Sequence, residues 1–182
     1  DDEYRNMRGS LRLLIFISLG VPLILLAGWR LETYQASPDS TGLLELATIL
    51  LGTGFIVMLA VVPFHSWLPA IAEEASPYSA AFICSFVQGG VFLLFLDVFV
   101  QYEWFRVNPV VPAGLRIGGL AMVVFGGVFA IVERNQGRLM GYTVLVDSGA
   151  ALLALALGTP DGVRIAISIL GLRILGLAVW GL

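Results

Sequence analysis

The chain has 182 residues, of which 58% are hydrophobic and only 13% charged, with mean hydropathy +0.92 and a net charge of −3. Soluble domains run about half apolar and about a quarter charged, so this composition belongs to a membrane protein. There is no basic tract to meet nucleic acid, and the single Cys84 excludes an internal disulfide.

Residues 1–10, "DDEYRNMRGS", form a polar lead-in. Six apolar runs follow, at 11–29, 43–62, 79–100, 114–133, 139–158 and 162–182. Each is near the roughly 20 residues a helix needs to cross a bilayer. The expected fold is therefore an all-α polytopic membrane protein of about six transmembrane helices. Trp29, Trp67, Trp104 and Trp180 fall near run ends, as in an interfacial aromatic belt. Glycine pairs at 89–90, 118–119 and 126–127 would let helices approach closely. Alternate connections share a side. The N-terminal side carries Arg5, Arg8, Arg12, Arg134 and Arg138, and the opposite side Arg30, Arg106, Arg116 and Arg164. The small excess places the N-terminal side in the cytoplasm or its equivalent. A first residue that is not Met, and a last run without a polar exit, read as one transmembrane segment, 1–182, of a larger subunit.

The second run ends in "VVPFHSWLPAIAEEASPYSAAF", with the only histidine of the chain. Pro63 lacks an N–H and clashes with the preceding turn, so the helix is expected to break there. Irregular backbone at membrane depth is tolerated only inside protein or beside water. His65 thus marks either a hydrated polar site or simply a membrane exit.

Asp147 and Arg173 are the ionisable residues expected deepest in the membrane. Both lie thirteen positions from the turn near residue 160, about 20 Å along antiparallel helices. Such groups are normally paired and functional, which leaves a structural ion pair, a proton or ion relay, or a contact to another subunit. Glu45, near the start of the second run, faces a polar axis or the interface, and Asp97 reads the same way. Glu73 and Glu74 suit an interfacial surface. The chain has no Cys or His cluster for a metal and no phosphate-binding glycine motif, so no cofactor is expected in it.

"PFHSWLPAIAEEASPYSA" closely resembles the signature of the antiporter-like membrane subunits of respiratory complex I, approximately PFH-x-W-x-P-D-A-x-x-x-A-P-x-P-x-S-A. These are related to the multisubunit Na⁺/H⁺ antiporters and membrane-bound hydrogenases. "VERNQGRLMGYTVLVDSG", residues 132–149, is similar to the family's A-Q-x-D-L-K-R-L-L-A-Y-S-S-I-x-H-x-G, with Arg138, Leu139, Tyr142 and Gly149 in register. The resemblance covers about residues 43–158. It implies a subunit of about fourteen helices with two inverted repeats, of which this chain would supply the sixth to eleventh.

The departures are as informative. The family's proton path uses lysines, and this chain has none. The positions matching them hold Met58 in the broken helix, Gln88 in the next helix and Gly137 in the second motif, and the motif's histidine is Asp147. A buried lysine can load and release protons; Met and Gln cannot. The candidate proton-path groups are therefore Glu45, His65, Asp147 and Arg173, with Pro63 at the break. The resemblance implies a membrane-arm subunit of a complex I-type NADH- or ferredoxin–quinone oxidoreductase, contributing to proton translocation or its coupling. It also implies other membrane and redox subunits as partners, which would carry flavin, iron–sulfur clusters and quinone. A multisubunit Na⁺/H⁺ antiporter, a hydrogenase relative, or a non-transporting scaffold stands as the alternative.

Overall fold

A computed structural model describes residues 8–36 and 41–181; Arg5 lies outside them. The helices are α1 (Arg8–Ala36), α2 (Thr41–Met58), α3 (Trp67–Glu74), α4 (Pro77–Phe82), α5 (Gln88–Gln101), α6 (Glu103–Val107), α7 (Val110–Val132), α8 (Gln136–Leu155) and α9 (Pro160–Gly181). A 3₁₀ turn, Phe64–Ser66, precedes α3, and a π-turn, Ile83–Val87, joins α4 to α5. No strand occurs among the described residues.

Five helical segments are long and apolar enough to cross a membrane: 8–34, 77–101, 110–132, 136–155 and 160–180. The chain is an integral membrane protein. The sixth apolar helix, α2, has 18 residues and stops short of the expected 43–62. The helices begin earlier than the apolar runs suggest. α1 extends through Tyr34 and its neighbours because nothing in 30–36 breaks a helix, and α4 begins at Pro77, whose fixed φ suits the first helical position after the Ser76 cap.

Packing follows sequence order. α1 lies on α2, α7 on α8 and α9 on α8, while α9 also touches α4 and the π-turn. The α7–α8 pair packs backbone to backbone. A Cβ on Gly119 would stand 2.8 Å from the Gly149 carbonyl oxygen, and one on Gly149 would stand 2.7 Å from that of Gly119. Only glycines permit that approach. Of the glycine pairs, Gly119 and Gly126 take the expected role against α8, whereas Gly90 and Gly127 face open space.

The region after α2 departs from the expected interfacial loop. Its α3 is a short strap between α1 and α8, with Trp67, Leu68, Pro69, Ile71 and Ala72 buried. Trp67 is 1% exposed and belongs to the core rather than to an aromatic belt. Trp29, at 57%, fits the belt. Glu73 and Glu74 are tied within the fold: Glu73 pairs with Arg138 at 2.6 Å and Glu74 accepts the Gly9 N–H at 2.7 Å.

Candidate functional site: a polar chain between two grooves

The helix break is built by backbone chemistry before Pro63 is reached. Ala60 takes a left-handed φ of 59°. The Val61 N–H donates to the Ile56 carbonyl at 3.0 Å and the Ala60 N–H to that of Val57 at 3.4 Å. This is the Schellman closure that ends a helix. The expected break at Pro63 therefore sits earlier: α2 stops at Met58, and Pro63, which has no N–H to give, prevents a restart. The break leaves the Leu59 carbonyl without a helical partner, at the level of the bundle core.

The π-turn supplies its counterpart. The Gln88 N–H reaches back five residues to Ile83, a wider turn that shifts the helix register. Gln88 is consequently fully buried. Its Nε2 donates to the Leu59 carbonyl at 3.5 Å and to Ser148 Oγ at 3.2 Å. Ser148, 0% exposed, gives its own proton to the Val144 carbonyl at 2.8 Å. Arg173 Nη1 then donates to the same Ser148 oxygen at 2.8 Å. A broken helix, α5, α8 and α9 are thus linked through Leu59, Gln88, Ser148 and Arg173.

Arg173 is 4% exposed, and its Nε and Nη2 have no hydrogen-bond partner among the described residues. The ion pair expected with Asp147 does not form. The ion pairs among the described residues are Arg138 with Glu73 and Glu133, and Arg164 with Asp161. The reason is direction: Ser148, one residue on, already takes Nη1, and Asp147 is turned about 100° around the helix from it. The two do share a cavity, as their common depth implied. A groove of about 640 Å³ between α8 and α9 is lined by Gln136, Thr143, Asp147, Arg173, Gly176 and Trp180 among others.

A second groove, about 590 Å³, runs between α2, α5, α6 and α7 toward the opposite side. Glu45, Thr48, Thr53 and Asn108 line it, and its lining reaches Leu59, Val61 and Leu152. Glu45 therefore borders this groove rather than the polar chain. His65 is apart from both grooves, in the turn on the N-terminal side, with its ring 6.4 Å from that of Phe125. Its Nδ1 is buried without a partner of full hydrogen-bond geometry. Burial holds the imidazole below its ordinary pKa, an effect the nearby Pro63 carbonyl only partly offsets.

The positions matching family lysines divide in three ways. Gln88 is central to the polar chain. Met58 packs its side chain toward Gly20 of α1, so that position is part of a helix contact. At Gly137 any Cβ would land on the Ala72 carbonyl oxygen, so the strap α3 occupies the space a lysine would need. Ser148 is the member of the polar chain that the sequence does not announce. Its signal is a hydroxyl beside Asp147 in a helix that also carries Tyr142 and Thr143, and it looks the same whether it faces lipid or a buried cation.

Residues 39–175 match the family described as "NADH:quinone oxidoreductase/Mrp antiporter, TM". The chain is 29% identical over 161 residues to a Rhizobium meliloti (strain 1021) protein named as part of a probable K(+)/H(+) antiporter, covering 84% of this chain and 29% of that protein. It is 34% identical over 131 residues to "NADH-quinone oxidoreductase subunit N" of Rhodospirillum rubrum, covering 69% of this chain and 25% of that one. The subunit N of Nitrosospira multiformis is 29% identical over 77% of this chain and 27% of its own length. The chain thus spans about a third or less of these relatives. Among solved structures, the Mrp complex from Dietzia sp. DQ12-45-1b contains a chain with the same fold, at a TM-score of 0.69 and 19% identity, covering 97% of this chain and 33% of that one. With most of its length matched in order, from before the helix break to beyond Arg173, this chain belongs to the NADH:quinone oxidoreductase/Mrp antiporter transmembrane family.

Proposed function

We propose that this chain is part of the membrane arm of a complex I-type NADH- or ferredoxin–quinone oxidoreductase, where it contributes to proton translocation or to its coupling. The observation that carries this reading is the buried polar chain from Leu59 through Gln88 and Ser148 to Arg173. Polar groups at membrane depth are expensive and rarely kept without a transport role. The relatives named NADH-quinone oxidoreductase subunit N support the parent complex. On this reading the chain performs no redox chemistry. Flavin, iron–sulfur clusters and quinone belong to partner subunits, and the membrane is a bacterial cytoplasmic membrane.

A second reading, membership of a cation/proton antiporter, draws on the relative named for K⁺/H⁺ antiport, which is matched over 84% of this chain. Isolation of the full-length parent in mild detergent separates the two. Flavin and iron–sulfur subunits among the co-purifying proteins, identified by mass spectrometry, are the expected result. Small hydrophobic partners alone would point to the antiporter.

A further inference from the structure

We infer that Arg173 is a permanent positive barrier that keeps the two opposed grooves from joining into a cation-conducting path. The inference rests on the membrane-path reading above and concerns how this part of the path stays shut.

The geometry has three parts. The α8–α9 groove enters from the side of residues 134–138. Along α8 its polar lining is Gln136, Thr143 and Asp147, one helical face running about 16 Å inward. The second groove enters from the opposite side, past Glu45 and Asn108, and its lining reaches Leu59 and Leu152. Ser148 sits between them on α8: Val144, one turn before it, lines the first groove and Leu152, one turn after it, lines the second. The groups that fill the gap are polar and hydrogen-bonded to one another rather than a dry apolar layer. Polar groups alone would make a poor seal against protons.

The guanidinium supplies what the hydrogen bonds do not. Arginine stays charged at any physiological pH, even when buried. Its carboxylate neighbour Asp147 lines the same groove but makes no salt bridge to it, so the guanidinium is not held in contact with a counter-charge. A fixed cation at a constriction repels protons and metal cations, as arginines and half-helix dipoles do in selective pores. Gly89 leaves room beside it: a Cβ there would be 3.7 Å from Nη2. The charge therefore lies against α5, next to Gln88. A barrier also accounts for retaining an unpaired buried guanidinium, which packing alone would disfavour.

The test uses the full-length subunit in its assembled complex, reconstituted into vesicles without electron donor. An imposed pH gradient is followed with a lumenal dye. Arg173→Gln is expected to raise passive proton leak about tenfold or more, and Arg173→Lys to leave it near wild type; tenfold corresponds to about 1.4 kcal/mol of barrier. An assembled Arg173→Gln complex as tight as wild type overturns the inference. If that variant loses donor-driven translocation while staying tight, the proposed function stands and the barrier does not. Should Arg173→Gln fail to assemble, labelling in the Arg173 background decides. A membrane-impermeant cationic thiol reagent is expected to reach Thr143→Cys only from the side of residues 134–138, and Thr53→Cys only from the other. Labelling of either cysteine from both sides, or of neither, also overturns it.

Discussion

Ser148 carries two donors on one oxygen, and its loss is felt by both. Ser148→Ala strands Arg173 Nη1 and one Gln88 N–H in a buried site. Each unsatisfied group costs about 1–3 kcal/mol, so the variant complex is expected to melt clearly below wild type; an unchanged midpoint would show that the network is not made. The same scale explains a missing lysine. Gly137→Lys, which restores the family residue, drives a side chain into the Ala72 carbonyl. Overpacking of that kind costs about 1–3 kcal/mol, so reduced assembly of the full-length subunit is expected rather than regained pumping. His65 adds a pH dependence. Its folded pKa lies below its unfolded value of about 6.5, so the neutral ring contributes stability above that pH. The contribution is lost as pH falls from there toward the folded pKa. Melting midpoints of wild type should drop on acidification below about pH 6.5, more than those of His65→Asn; parallel profiles would refute this. At this scale the sequence disclosed which residues were polar and deep. It did not disclose their partners: Asp147 and Arg173 share a depth and a groove, yet one residue of helical rotation gives the guanidinium to Ser148.

At the scale of elements, the strap α3 shows which forces hold the bundle together. Its C-terminal end is tied by the Arg138–Glu73 pair, and its middle lies against two glycines: a Cβ on Gly9 would stand 2.5 Å from the Ile71 nitrogen, and one on Gly141 2.5 Å from the Pro69 Cα. The ion pair is partly exposed and worth about 0.2–1 kcal/mol. Backbone contact cannot yield in the same way. Arg138→Ala should therefore leave thermal stability within about 1 kcal/mol of wild type, whereas Gly141→Val should prevent α3 from docking and greatly lower the yield of folded subunit. Equal effects of the two variants would mean that charge, not shape, fixes the strap. Most spanning helices were legible, because long apolar runs have few other uses. The early stop of α2 was not: a Schellman closure around Ala60 carries no glycine to announce it, and the visible breaker, Pro63, lies downstream of the last helical residue, Met58. The π-turn at Ile83–Val87 was equally silent, since an extra residue in a helical turn leaves the apolar pattern intact.

For the whole molecule, the family was readable from two ordered motifs, and the match over residues 39–175 bears that out. What the motifs could not convey is how the charge is redistributed. Instead of lysines on the broken helix and its neighbour, the buried cation stands on α9 and reaches Gln88 through Ser148. The arrangement keeps a polar thread across the bundle while placing on it a charge that does not cycle. Donor dependence directly tests whether the parent protein belongs to an electron-transfer complex. Inverted membrane vesicles from cells with the full-length parent intact, deleted or restored are energised with NADH or reduced ferredoxin, and lumenal acidification is recorded. Acidification on donor oxidation is expected to be lost on deletion and regained on restoration. Donor-driven acidification untouched by the deletion, with cation-for-proton exchange lost instead, would contradict that membership.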